Sequence, residues 1–61
     1  MEMTTQDYLK KALLDTQEKV RDFMHFSENV ENEELSNCFK EFAKEEGLQA
    51  QKLQEYIEKF K

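Results

Sequence analysis

Residues 28–32 read Glu-Asn-Val-Glu-Asn, and the chain changes direction at this stretch. Asn32 is a good helix cap, and Glu33 and Glu34 follow it where the positive end of a helix dipole favours acids. On the N-terminal side, Leu9, Leu13, Thr16, Val20, Phe23, Ser27 and Val30 recur at alternating steps of four and three. On the C-terminal side, Leu35, Phe39, Phe42, Glu46, Gln49, Leu53, Tyr56 and Phe60 do the same. Each series is one face of an α-helix. The spacing predicts helix one over about 5–29, a turn at about 30–32 and helix two over about 33–60. Thr4 or Thr5 caps the first helix, and Asp7 stands three residues after Thr4 as in a capping box. Lys59 and Lys61 lie at the end of the second.

A link this short makes the helices antiparallel neighbours. The 61 residues form one unit, an all-α hairpin. They include no proline, one glycine and one cysteine, and charged and hydrophobic residues each make up 38%. Such a mixture suits solvated helices with a single apolar face. A chain of this length rarely buries an adequate core alone, and a lone cysteine makes no internal disulfide. Both faces are wider than a two-helix seam. Met24 and Phe26 flank the first on opposite sides, and Cys38, Ala43, Ala50 and Ile57 broaden the second. The expected architecture is therefore a four-helix bundle formed by homo-oligomerisation, as a dimer or tetramer. Its association face is expected at Leu9, Leu13, Val20, Phe23, Met24, Phe39, Phe42, Leu53, Ile57 and Phe60. An unidentified protein partner, held helix in groove, is the alternative occupant.

The net charge of −5 and the lack of a basic patch argue against nucleic acid and anionic membrane as partners. No apolar run approaches a membrane span. The opening stretch MEMTTQDYLK lacks the basic and apolar regions of a signal peptide, so the cytoplasm is the expected compartment. Cys38 reads as a small hydrophobe suited to a reducing compartment. His25, the single histidine, lies on a helix flank between Met24 and Phe26. Tyr8 and Tyr56 are expected as packing residues near the open end. Pairs such as Asp15–Lys19 and Glu55–Lys59 suit a solvated face. Neither a nucleophile–base pair nor a phosphate-binding glycine loop is present, which points away from hydrolytic and phosphoryl-transfer enzymes.

The polar break in the second stripe raises a sharper question. When the hairpin folds about residues 31 and 32, residues whose numbers add to about 63 lie side by side. Leu13 then meets Ala50, Val20 meets Ala43, Met24 meets Phe39, and Gln17 meets Glu46. One core layer holds Gln17, Glu46 and Gln49, with Ala43, Gly47 and Ala50 leaving space around it. A buried carboxylate costs several kcal/mol unless paired or neutralised. Amide donors, a retained proton or a metal ion would each compensate it.

The run ENVENEELSNCFKEFAKEEGLQAQKLQEYI, residues 28–57, resembles a helix pair of ferritin-like, rubrerythrin-type proteins. The acidic segment before Leu35, then Phe39, Phe42, Ala43 and Glu45–Glu46, fall where that family has its counterparts. Phe23 and Met24 take the place of its usual Phe-Tyr pair. The resemblance spans about residues 9–57, half of a ferritin-like bundle. It implies an iron site with a Glu-x-x-His motif on this helix and a further glutamate on the preceding one. Glu46 matches the motif's glutamate, but its histidine falls on Gln49 and the other glutamate on Gln17. Amides supply no charge and are poor ligands for iron. Glu46 is thus a weak metal candidate. The expectation is a degenerate site with no cofactor, in which Gln17, Glu46 and Gln49 form a hydrogen-bonded layer that fixes helix register. Iron binding or peroxide chemistry at a dimer interface is the alternative, and a non-enzymatic association role is the primary reading.

Overall fold

In a computed structural model that describes residues 2–61, the chain is two α-helices joined by a three-residue turn. Helix α1 spans Thr5–Asn29 and α2 spans Glu33–Lys59. Each begins on the side chain its sequence supplies. The Thr4 backbone N–H donates to the Asp7 carboxylate at 3.0 Å, and the Asp7 N–H donates to the Thr4 hydroxyl at 3.2 Å, a complete capping box. The Leu35 N–H donates to the Asn32 side-chain oxygen at 2.9 Å. A cap of this kind stabilises a helix by about 1 kcal/mol. At the turn Val30 is extended and its N–H still reaches the Phe26 carbonyl, which closes α1 as the chain leaves it.

The helices run antiparallel, and two cross-helix hydrogen bonds mark their register. The Ser36 hydroxyl donates to the Ser27 carbonyl at 2.7 Å beside the turn. The Gln6 side-chain amide donates to the Ile57 carbonyl at 3.1 Å near the open end. In both pairs the residue numbers add to 63, the register that the turn position implies.

Between the helices, Thr16, Ser27 and Ala43 are the buried residues. All are small, so the backbones can approach closely at their levels. The two hydroxyls are satisfied inside their own helix: Thr16 donates to the Ala12 carbonyl at 2.8 Å and Ser27 to that of Met24 at 2.6 Å. Burial therefore costs them no unpaired polar atom. Gly47 makes no close approach, because a Cβ added there would meet nothing within 4 Å.

The Cα positions fill a slab of 44 × 23 × 10 Å, one helix thick. Domains ordinarily pack at least two layers around a core. This one has a single layer, and among the described residues no large side chain is fully buried. Among the described residues no helix is long and apolar enough to cross a membrane.

Candidate functional site: an open apolar side

Successive helical residues are separated by about 100°, so the burial pattern sorts each side chain onto a flank of the slab. Leu9, Leu13, Val20 and Phe23 of α1 are half-buried against Phe39, Leu53 and Ile57 of α2. Six other large apolar residues stay exposed on one broad side. Tyr8 and Phe26 come from α1, and Leu35, Phe42, Tyr56 and Phe60 from α2. Leu35, Phe42 and Tyr56 belong to one series of seven-residue steps whose remaining member is Gln49. Seven residues are nearly two turns, so this stripe runs almost parallel to the helix axis.

Contacts from both helices show that these flanks share a side. Towards the turn, Phe23 lies 5.5 Å from Phe42 and Phe26 lies 5.5 Å from Phe39, centroid to centroid. Phe23 also stacks on Phe39 at 6.1 Å. Edge-to-face and offset pairs of this sort add about 0.5–1.5 kcal/mol each beyond the area they bury. Towards the open end a groove of about 360 Å³ opens between the helices, floored by Ala12 and Thr16 and walled by Gln49, Leu53 and Tyr56. Tyr56 stacks on Phe60 with centroids 6.0 Å apart. The Lys52 and Lys59 ammonium groups lie 5.9 and 5.7 Å from the Tyr56 and Phe60 ring centres. Their stems line the edge of the apolar side, and their charges remain in water.

The residues expected on the association face divide by position. Seven of them line the helix–helix seam, while Phe42 and Phe60 open onto the apolar side. Met24 is exposed on the opposite flank of α1 from Phe26. Tyr8, Phe26, Leu35 and Tyr56 belong to the open side as well, although the expected association face does not include them. Tyr8 is exposed and has no ring contact among the described residues, so within the hairpin it is not the packing residue expected there. Leu14 and Leu48 are exposed singly on other flanks, as isolated leucines commonly are. The ion pairs also differ from those expected. Asp15 turns back to Lys11 at 3.0 Å, and Lys61 reaches Glu58 at 3.4 Å. All four side chains are well solvated, where either partner one turn away serves equally.

Gln17 and Glu46 are half-buried at one level of the seam, and Gln49 is exposed in the groove. Among the described residues no hydrogen bond joins the three, and no group of three His, Cys, Asp or Glu side chains is placed to hold a metal ion. The donor set of the hairpin does not fit a di-iron centre, which draws on several carboxylates and histidines. His25 is exposed on the back of α1, where the Asn29 amide donates to its carbonyl at 2.7 Å. Cys38 is a half-buried free thiol. It lines a second groove, of about 420 Å³, with Asn32, Glu34 and Leu35 beside the turn.

Comparison with protein-family models, curated proteins and solved structures finds no match to this chain. The ferritin-like resemblance therefore has the hairpin itself and the residues quoted above as its whole support.

Proposed function

We propose that this chain is a non-enzymatic cytoplasmic association module, in which hairpins lay their open apolar sides together and complete a four-helix bundle. One observation carries the reading: the hairpin is a single layer whose large apolar side chains crowd one exposed side. Its accessible surface is 5094 Å². A compact monomer of 7.4 kDa would expose about 4,200 Å². The excess, about 900 Å², is close to the roughly 800 Å² that each partner contributes to a stable interface. The apolar part of that surface supplies the driving force, at about 25 cal/mol per Å² buried, against the costs of ordering two chains.

Ferritin-like descent belongs to the same reading. Its support is that one hairpin is half of such a bundle and that Glu46 stands at the motif's glutamate. The amides at 17 and 49 make iron chemistry the weaker outcome. Native mass spectrometry tests both parts, on protein purified without chelator and again after incubation with iron(II), manganese or zinc. An even-numbered oligomer free of metal is expected. A monomer would contradict the association role, and a dimer carrying one or two metal ions would contradict the degenerate site.

A further inference from the structure

The open side varies along its length, and the variation is nearly symmetric about the level of Glu46 and Gln17. Phe42, the ring of the four-ring cluster nearest that level, lies about 7 Å before it on α2, at 1.5 Å per residue. The hollow walled by Gln49 and Leu53 lies about 7 Å beyond it. Further out, the hollow at Asn32, Leu35 and Cys38 is centred about 18 Å towards the turn, and the Tyr56–Phe60 stack is about 17 Å towards the open end. Each projection has a hollow at the matching distance on the other side of the midpoint.

The charges along the outer edge of α2 follow the same symmetry. Glu34 and Glu41 lie before the midpoint, and Lys52 and Lys59 after it, at nearly matching distances. A two-fold axis at right angles to the helices reverses one copy over the other. Each α2 then lies on the partner's α2, and each α1 on the partner's α1. Glu34 comes beside the partner's Lys59, and Glu41 beside the partner's Lys52. On α1, Lys11 comes beside the partner's Asp22, and Asp15 beside the partner's Lys19. Phe42 seats towards the partner's Gln49–Leu53 hollow, and the Tyr56–Phe60 stack towards the hollow at the partner's Cys38.

The other way to join the same sides keeps both turns at one end and lays α1 on the partner's α2. Rings then meet rings and hollows meet hollows. Lys11 faces the partner's Lys52, Asp22 the partner's Glu41, and Glu18 the partner's Glu45. Only Lys19, near the partner's Glu45, gains an opposite charge. Like charges placed together at an interface disfavour that arrangement. The reversed arrangement has an unfavourable feature of its own, a concentration of negative charge at its centre: it brings both copies of Glu46 to the axis and sets the two copies of Glu45, and those of Glu18, about 5 Å apart along the helix direction. Lys19 lies on the same side at nearly the same level and can offset it.

Resting on the association role above, we infer that the occupant of the open side is a second copy of this chain docked antiparallel, with the two turns at opposite ends of the bundle. An isologous contact of this kind is self-complementary and closes at two chains. The test places one nitroxide in the turn, at Glu31→Cys in a Cys38→Ser background, and measures the label separation by pulsed dipolar spectroscopy while sedimentation gives the mass. Turns at opposite ends put the labels about 45 Å apart, from some fifteen residues on each side of the axis. A separation near about 20 Å, the span of two or so helix diameters, would overturn the arrangement while leaving a dimer. A monomer mass without dipolar signal would instead remove the association role itself. A second readout needs no label. Lys52→Glu should weaken the dimer several-fold and Glu41→Lys in the same chain should restore it. Tighter binding by Lys52→Glu alone would overturn the antiparallel docking.

Discussion

Phe42→Ala examines the open side at its centre. The ring is 40% exposed in the hairpin, and a phenylalanine offers about 200 Å² in all. Docking would therefore bury about 80 Å² more of it per copy, of which an alanine recovers a small part. At about 25 cal/mol per Å² the loss is about 1.5 kcal/mol per copy and about 3 kcal/mol per dimer. That corresponds to roughly a hundredfold weaker dimer, at about 1.4 kcal/mol per factor of ten. Sedimentation velocity over a concentration series gives the constant, and circular dichroism on the same samples checks that the helices persist. Leu48→Ala is the control. Leu48 is more exposed than Phe42, at 59%, but it lies on another flank and its loss should leave the dimer unchanged. An unchanged constant for Phe42→Ala, or a large effect of Leu48→Ala, would refute the assignment of the open side.

Gly47→Ala should stabilise the protein by about 0.5–1 kcal/mol, because the site is mid-helix and a Cβ there meets nothing within 4 Å; denaturant unfolding reads it. Asp7→Asn should lower thermal stability at neutral pH. The Thr4 backbone N–H, then the Thr4 hydroxyl and nearby Lys10, hold the Asp7 carboxyl below the usual aspartate range. Its contribution is thus complete above the unfolded-state value and lost as pH falls through the lower folded-state value. The gap between the two chains should close in strong acid, and a gap that persists there would count against the capping box. Ser36→Ala removes the hydroxyl donated to the Ser27 carbonyl and should cost about 1 kcal/mol, read as a lower unfolding midpoint with helix content retained in the folded state.

The hairpin was legible because its signals are local. The four-three spacing and the caps at Thr4 and Asn32 each depend on residues within one or two turns. The pairing that adds to 63 follows from the turn and reappears in Ser27–Ser36 and Gln6–Ile57. The open side was less legible. A helical stripe gives an angle around one helix, whereas the exposed side depends on how the two helices are rolled against each other. The small residues Thr16, Ser27 and Ala43 set that roll. It turns Phe26 and Phe42 to one side and Met24 to the other. Glu46 was legible as a polar break in an apolar stripe, but the hydrogen-bonded layer expected around it was not, because among the described residues no hydrogen bond joins it to Gln17 or Gln49 and the latter is exposed.

The most direct test is the thermal midpoint of the wild-type chain as a function of its own concentration. If a second copy completes the core, folding and association are linked and the midpoint rises with concentration. For a dimer whose unfolding entropy is about 2.1 cal/mol/K per residue, a roughly thousandfold rise in concentration should raise the midpoint by about 15 °C. A cooperative transition whose midpoint stays fixed across that range would contradict the account, because the single-layer hairpin would then be stable on its own.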